Sequence, residues 1–137
     1  MAEQPQPTGR ELEILKILWR RKEATVRQVY EEMRQTAPIV QNTVQAFLRT
    51  MEEKGLLTHR RDGRSFVYRP VLRREQTTRR MAEGLLERVF DGAIDQLVDS
   101  LFSQRSPSEE ELDRLEALIS RARDATAKKR NKRGPRS

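Results

Sequence analysis

The sequence has no cysteine, and this absence removes several kinds of chemistry at once. Without thiols the chain has no disulfide framework, no thiolate ligand for a metal and no cysteine nucleophile. It also lacks an apolar run near the roughly 20 residues that a membrane span needs. Residues 1–7 are polar and lack the apolar region of a signal peptide. We therefore expect a soluble, cytoplasmic protein.

Histidine is almost as scarce as cysteine, with His59 as its sole example. A metal ligand or a general base needs companion residues, so His59 is interpreted as a packing residue beside Phe66. The carboxylates of residues 83–113 alternate with arginines at helical spacing, which is typical of a solvated helix face. We predict no enzyme activity, no metal and no cofactor.

The positive charge that is present lies mostly at the end of the chain. Residues 1–70 hold 13 basic and 9 acidic side chains, residues 71–127 hold 9 and 12, and residues 128–137 hold 6 and none. The excess of positive charge indicates a polyanionic partner. Residues 128–137 have no large apolar side chain, so we expect a disordered basic tail. This tail is either an electrostatic arm for DNA or a solubilising terminus.

Three short amphipathic helices are predicted before and up to Gly55. The first two begin with capping boxes, Thr8 with Glu11 and Thr25 with Gln28. The third helix ends at Gly55, a residue that suits a left-handed C-terminal cap. All three carry apolar residues at helical spacing, so we expect them to share one core.

After the third helix the apolar period changes from 3.6 to 2, which predicts two strands. The dipeptide Asp62-Gly63 favours a type I′ turn, and this turn pairs Arg61 with Arg64 and His59 with Phe66. The residues that share one face of this hairpin are Leu57, His59, Phe66 and Tyr68. Three arginines are expected to cluster at its tip, where their mutual repulsion requires an anion nearby.

Three helices followed by a basic hairpin predict a mainly α fold with a small β-hairpin. We expect a winged helix-turn-helix DNA-binding domain over residues 1–71, a helical dimerisation domain over 72–127 and the tail over 128–137. Amides and hydroxyls at the start of the third helix suit base edges, and the arginines suit phosphates. The predicted DNA-binding residues are Gln41, Asn42, Thr43, Gln45, Arg49, Arg60, Arg61 and Arg64.

The second half of the chain predicts helices that need a partner. Residues 73–103 carry an apolar surface too wide for one solvated helix, and Asp91-Gly92 predicts a break into two helices. Ser106 and Glu109 predict the capping box of a last helix with Pro107 in its first turn. Mutual burial in a homodimer is economical; the alternative is a self-contained helical subdomain. The predicted dimerisation residues are Leu86, Val89, Phe90, Ile94, Leu97, Val98, Leu101, Phe102, Leu115 and Ile119.

Four segments carry a resemblance to a known family: Glu13–Trp19, Asn42–Gln45, Lys54-Gly55 and Asp62–Pro70. Together they resemble the penicillinase-repressor (BlaI/MecI/CopY) family of bacterial transcriptional regulators. The most specific part is the hairpin pattern Gly63-Arg64-x-Phe66-x-Tyr68-x-Pro70. The resemblance implies a homodimeric repressor whose winged helix binds a palindromic double-stranded DNA operator. It places Asn42, Thr43 and Arg64 at positions that the family uses against DNA.

The resemblance also implies how repression is controlled. Family members that regulate β-lactam-resistance genes are inactivated by proteolysis in the dimerisation region, at an Asn-Phe bond, after a membrane sensor-protease is activated. The matching position here is Ser100-Leu101, which makes it the candidate cleavage site. Copper-sensing members carry C-terminal cysteines, so we do not expect copper control.

Other functions remain open at this point. Winged helices also serve as protein-interaction adaptors without sequence-specific DNA binding, in which case the basic hairpin meets an acidic protein surface. A regulator that responds to a small molecule needs a ligand pocket, which the short C-terminal region does not suggest.

Overall fold

The computed structural model describes residues 6–133, and in this range it contains six helices and three strands. The helices are α1 (Gly9–Arg21), α2 (Val26–Met33), α3 (Gln41–Glu53), α4 (Arg74–Phe90), α5 (Ile94–Gln104) and α6 (Glu109–Arg133). The strands are β1 (Ala24–Thr25), β2 (Leu57–Asp62) and β3 (Ser65–Pro70), which form an antiparallel sheet in the order β1-β3-β2. The predicted mainly α fold with a winged helix-turn-helix is confirmed. Strand β1 was not predicted, because two residues are too few to show a period.

Both predicted capping boxes form and set the starts of α1 and α2. The Thr8 hydroxyl accepts from the Glu11 N–H at 3.3 Å, and the Glu11 carboxylate accepts from the Thr8 N–H at 2.9 Å. Thr25 and Gln28 repeat these two bonds at 3.2 and 2.9 Å. Each box satisfies two backbone donors that the helix itself leaves without partners.

The end of α3 also follows its sequence signal. Gly55 has a φ of 86°, in the left-handed region that glycine adopts at low cost. The N–H of Gly55 donates to the Glu52 carbonyl at 3.0 Å, and the N–H of Leu56 donates to the Met51 carbonyl at 2.9 Å. This pair of bonds is a Schellman motif, which turns the chain directly into β2.

The core lies among α1, α2, α3 and the sheet. Fully burying an aliphatic side chain contributes about 1.5–3 kcal/mol, so this cluster provides most of the stability of the N-terminal part. Its buried apolar members are Ile14, Leu15, Leu18, Ala24, Val29, Met33, Val44, Leu48, Met51, Leu56, Leu57 and Tyr68.

The register of the hairpin differs from the prediction. Asp62 pairs with Ser65 and His59 pairs with Tyr68, so the turn residues are Gly63-Arg64 rather than Asp62-Gly63. Only the first of them has a positive φ, 63° at Gly63. A type II′ turn needs a positive φ at that position alone, whereas the predicted type I′ turn needs it at both. Placing Gly63 first satisfies the turn without straining Arg64.

The chain divides into two compact units, the first ending at Arg88 rather than at the predicted domain boundary after residue 71. Hydrogen bonds join α4 and the residue pair before it to the N-terminal part of the chain. Trp19 Nε1 donates to the Leu72 carbonyl at 3.0 Å, and an Arg88 guanidinium nitrogen donates to the Gln6 side-chain oxygen at 3.0 Å. These bonds include most of α4 in the first unit.

The second unit contains α5 and α6, and α6 begins later than predicted. Its capping box joins Ser108 and Glu111, at 3.1 and 3.2 Å, so the predicted box of Ser106 with Glu109 is wrong. Pro107 consequently lies before the helix. Starting at Ser108 places three glutamates in the first turn, where they interact favourably with the helix dipole. The predicted break at Asp91-Gly92, between α4 and α5, is confirmed.

Helix α6 also ends later than predicted. It continues through residue 133, so the expectation of disorder is wrong for residues 128–133. Lysine, arginine and alanine are strong helix formers, and they extend the helix without apolar contacts. The rest of the predicted tail, residues 134–137, lies outside the described residues. Within residues 6–133, no helix is long and apolar enough to cross a membrane.

Candidate nucleic-acid interface

The first turn of α3 presents polar side chains to solvent. The predicted base-contacting residues in and beside it are all exposed: Gln41, Asn42, Thr43 and Gln45. The N-cap residue is Val40, which is 62% exposed and supplies no side-chain cap to the helix. The Thr43 N–H donates to the Val40 carbonyl at 3.1 Å, while the N–H groups that precede it at this uncapped helix start point towards any incoming anion.

The opposite side of α3 fixes this orientation. Val44, Leu48 and Met51 are completely buried in the core, and Phe47 packs against it. Because these residues recur at helical spacing, the polar residues on the remaining faces point away from the core. Arg49 is also exposed, further along the helix.

The three hairpin arginines do not form the single cluster that was predicted. Arg60 and Arg61 are neighbours on one strand, so their side chains leave opposite faces of the hairpin. Arg61 lies over the Phe66 ring, with its guanidinium carbon 5.6 Å from the ring centre. Arg64 occupies the second position of the turn and is exposed.

The chain itself supplies one of the anions that neutralise the hairpin arginines. An Arg60 guanidinium nitrogen lies 2.7 Å from a Glu23 carboxylate oxygen, just before β1. The hydrogen bond from Arg60 lowers the pKa of Glu23, and the carboxylate raises the pKa of Arg60 in turn. Arg60 is therefore a compensated cation, although both side chains remain accessible to solvent.

His59 packs as predicted and also forms a bond that was not predicted. Its ring centre lies 4.5 Å from that of Phe66 and 5.4 Å from that of Tyr68. Its Nδ1 lies 2.6 Å from a carboxylate oxygen of Glu52, in the last turn of α3. This contact fastens the hairpin to the helix that precedes it, so both parts of the candidate interface are held in one unit.

A buried ion pair anchors the C-terminal end of α3. The Lys54 ammonium lies 2.8 and 3.0 Å from the two carboxylate oxygens of Glu11, and the Glu11 side chain is 3% exposed. Burial raises the pKa of Glu11, but the bonds from Lys54 and Thr8 outweigh burial and hold it below its ordinary value. Glu11 thus caps α1 and anchors the end of α3 with one carboxylate.

Sequence reasoning missed the three carboxylates that orient these elements: Glu11 as an ion-pair partner, Glu23 and Glu52. Glu52 precedes His59 by seven residues. Because the chain was predicted to reverse at Gly55, this spacing could have predicted their contact. Glu23 gave no signal, because its contact with Arg60 depends on β1.

The predicted dimerisation residues are not buried within the single chain. Val89, Ile94 and Leu101 are between 52% and 63% exposed, and Phe102 and Ile119 are 42% and 54% exposed. The other five, Leu86, Phe90, Leu97, Val98 and Leu115, are half-buried. The candidate cleavage residues Ser100 and Leu101 are exposed within α5.

Two known regulatory proteins are similar in sequence to this chain over most of its length. The chain is 27% identical over 115 residues to the penicillinase repressor of Bacillus licheniformis, covering 84% of this chain and 90% of that protein. It is 19% identical over 111 residues to the methicillin resistance regulatory protein MecI of Staphylococcus aureus, covering 81% and 90%.

Two solved structures are also similar in sequence. One is the solution structure of the DNA-binding domain of the repressor BlaI, at 32% identity and a TM-score of 0.49, covering 54% of this chain and 90% of that one. The other is the monomeric form of Bacillus licheniformis BlaI in complex with the blaP half-operator, at 32% identity and a TM-score of 0.48, covering 55% and 92%. The sequence model of the family described as "Penicillinase repressor" matches residues 7–121, and this chain therefore belongs to the penicillinase repressor family.

Proposed function

We propose that this protein is a transcriptional repressor that binds a palindromic DNA operator as a homodimer. The observation that carries the proposal is the pairing of an uncapped, polar helix start with a basic hairpin in one compact unit. Family membership and the similarity to the penicillinase repressor support it. By the same similarity, the target genes are of the β-lactam-resistance type or related stress genes.

In this proposal α3 is the recognition helix. Asn42, Thr43 and Gln45 contact base edges in the major groove, where amides and hydroxyls both donate and accept. Gln41 and Arg49 contact the flanking phosphates. On the hairpin, Arg61 and Arg64 contact the backbone, while Arg60 exchanges Glu23 for a phosphate on binding.

The homodimer is supported by the exposed apolar side chains of α4, α5 and α6. Side chains such as Val89, Ile94 and Leu101 are costly to leave in water, and a two-fold partner covers the same surface on both copies. A two-fold dimer places two recognition helices about 34 Å apart, in successive major grooves on one side of the duplex. This geometry requires a palindromic operator.

A gel-shift assay with the promoter upstream of the gene tests DNA recognition. We expect sequence-specific retention, reduced about 100-fold or more by combining Asn42→Ala, Thr43→Ala and Arg64→Ala, since the base contacts of Asn42 and Thr43 each contribute roughly 1–3 kcal/mol in both half-sites and Arg64 adds a phosphate contact. The matched control combines Gln96→Ala, Thr78→Ala and Arg79→Ala, which change exposed side chains of similar chemistry on α4 and α5. Failure of the wild-type protein to retain any duplex at low salt supports the adaptor function instead.

Sedimentation analysis tests the homodimer. Leu101→Asp places a charge on the exposed apolar surface of α5, so we expect a dimer for the wild-type protein and a monomer for this variant. Ser103→Asp introduces the same charge at a polar, exposed position of the same helix and serves as the control. A Leu101→Asp variant that stays dimeric contradicts the assigned interface.

The proposal includes relief of repression by proteolysis at Ser100-Leu101, after activation of a membrane sensor-protease. Both residues are exposed, and the bond lies inside α5, so cleavage requires local opening of that helix. Incubation with a cognate receptor protease, followed by mass spectrometry, tests this step. Absence of a cut between Ala93 and Ser106 rejects it.

A further inference from the structure

Helix α6 is acidic in its first half and basic in its second half. Residues 109–120 hold five carboxylates and one arginine, whereas residues 121–133 hold seven lysines or arginines and one aspartate. The family match ends at residue 121, and the helix continues to residue 133. Most of the basic part of α6 therefore lies beyond the region that the family model matches.

Three of these cations lie along one line of the helix, together with Arg114 from its acidic part. Arg114, Arg121, Lys128 and Lys132 are separated by seven, seven and four residues, spacings that return to nearly the same side of an α-helix. With a rise of 1.5 Å per residue, the line is about 27 Å long. The apolar residues Leu115 and Ile119 lie on a different face, so a partner on the cationic line leaves the apolar face available.

Among the residues that the structure describes, no ion pair forms on the basic part of this line, although Asp124 lies four residues before Lys128. Arg121, Lys128 and Lys132 are exposed, and within residues 6–132 none of them forms an ion pair. Lys128 and Lys132 are four residues apart, a like-charge spacing that destabilises a helix by about 0.2–0.5 kcal/mol. An external polyanion removes this repulsion.

We propose that the basic end of α6, residues 121–132, binds the phosphate backbone of duplex DNA without reading its sequence. This inference rests on the proposed DNA-binding function and adds a second contact to it. Residues 123–132 contain no leucine, isoleucine, valine or aromatic residue that could insert into a lipid surface. A line of positive charge on a helix without apolar anchors suits the dense negative charge of the phosphates on a duplex.

The salt dependence of binding tests the proposal. The probe is a fluorescein-labelled 40-base-pair duplex of mixed sequence, and the test variant combines Lys128→Gln, Lys129→Gln, Arg130→Gln and Lys132→Gln. Glutamine keeps the helix propensity and removes the charge. Since each neutralised phosphate contributes about 0.9 to the slope of log Kobs against log salt, we expect the slope to fall by about 2–4 per chain.

The control variant removes four charges from exposed positions outside α6 that form no ion pair within residues 6–132, namely Lys16→Gln, Arg74→Gln, Arg79→Gln and Arg105→Gln. We expect its slope to change by less than half as much. A wild-type protein that binds the duplex, with an unchanged slope in the α6 variant, overturns the second contact alone. A variant that shifts the monomer–dimer equilibrium but keeps the slope also overturns it, because the basic end then contacts a second copy. A wild-type protein that binds no duplex overturns the proposed function as well.

Discussion

The buried ion pair of Glu11 and Lys54 makes a prediction in which the two partners are not equivalent. Lys54→Met leaves the Glu11 carboxylate almost entirely enclosed and without its counter-ion. Removing one partner of a buried ion pair, so that the other charge stays buried alone, lowers the free energy of unfolding by roughly 3–5 kcal/mol. Since the Lys54 side chain is itself 28% exposed, water reaches the site from that side. We therefore expect a smaller loss in the free energy of unfolding, about 2–3 kcal/mol.

Glu11→Gln should cost less than Lys54→Met, although it breaks the same pair. The glutamine oxygen still accepts from the Thr8 N–H, as Gln28 does in the equivalent box of α2. The ammonium of Lys54 is left near the surface, where it can be hydrated. We expect a loss of about 1 kcal/mol, the size of a weakened cap and a partly exposed ion pair.

Urea unfolding followed through Trp19 fluorescence measures both losses, since the chain contains a single tryptophan. With a slope of about 1–3 kcal/mol per molar urea, Lys54→Met should lower the midpoint by about 1–2 M. Glu13→Gln, which breaks the exposed pair with Arg10, is the control and should stay within about 0.5 kcal/mol of the wild type. Equal stability of Lys54→Met and the wild type, or a larger loss in Glu11→Gln, refutes the reasoning.

The same pair determines a dependence on pH. The pKa of Glu11 is lowered by folding, so its contribution is present above the unfolded value of 4.5 and is lost as the pH falls through the folded value. The wild-type protein should therefore lose stability on acidification more steeply than Glu11→Gln does. Parallel acid unfolding curves for the two proteins contradict this assignment.

Two further substitutions test single features of the N-terminal unit. Gly55→Ala should cost about 1–2 kcal/mol through its backbone alone, because φ is 86° and an added Cβ meets no atom within 4 Å. Gly9→Ala, at the start of α1 and equally unobstructed, should not destabilise the protein, and equal urea midpoints for the two variants contradict the reasoning. Glu23→Gln releases Arg60 from its competing partner and should tighten binding to a mixed-sequence duplex at low salt, whereas the control Glu13→Gln should do so less. Equal affinities for the two glutamate variants show that Arg60 does not contact DNA.

The features that sequence predicted well are local ones. The capping boxes at Thr8 and Thr25 and the glycine stop at Gly55 depend on residues within a few positions of each other. The helix pattern behind them follows from apolar spacing alone. Such signals are complete in the sequence, because the atoms that satisfy each other are neighbours along the chain.

The features that sequence missed depend on distant residues or on competing local signals. Glu23 reaches Arg60 across 37 positions, through a strand too short to be recognised. Two serine boxes overlap before α6, and the choice of Ser108 follows from which start places more carboxylates in the first turn. The basic end of α6 was predicted to be disordered because it lacks apolar residues. Helix propensity alone is enough to extend the helix through it.

The error in the hairpin register leaves one prediction about the candidate interface intact and overturns another. The observed pairing of His59 with Tyr68 is displaced by two residues from the predicted pairing, and a shift of two residues keeps every side chain on its face. The prediction of which residues share a face therefore survives. The prediction that three arginines meet at the tip does not, because Arg60 lies beside Glu23.

This difference changes how the hairpin contributes to binding. Three uncompensated arginines would each gain a phosphate at no cost, whereas Arg60 must first give up Glu23, so its net contribution to the binding free energy is small. Most of the affinity of the hairpin then comes from Arg61 and Arg64, which position the duplex without reading it. Discrimination between sequences consequently falls to the first turn of α3, where Asn42 and Thr43 are exposed and unopposed by any acidic residue of that turn. In the proposed repressor, a variant of Arg64 alone should therefore weaken all duplexes alike, whereas a variant of Asn42 alone should weaken the operator more than a mixed sequence.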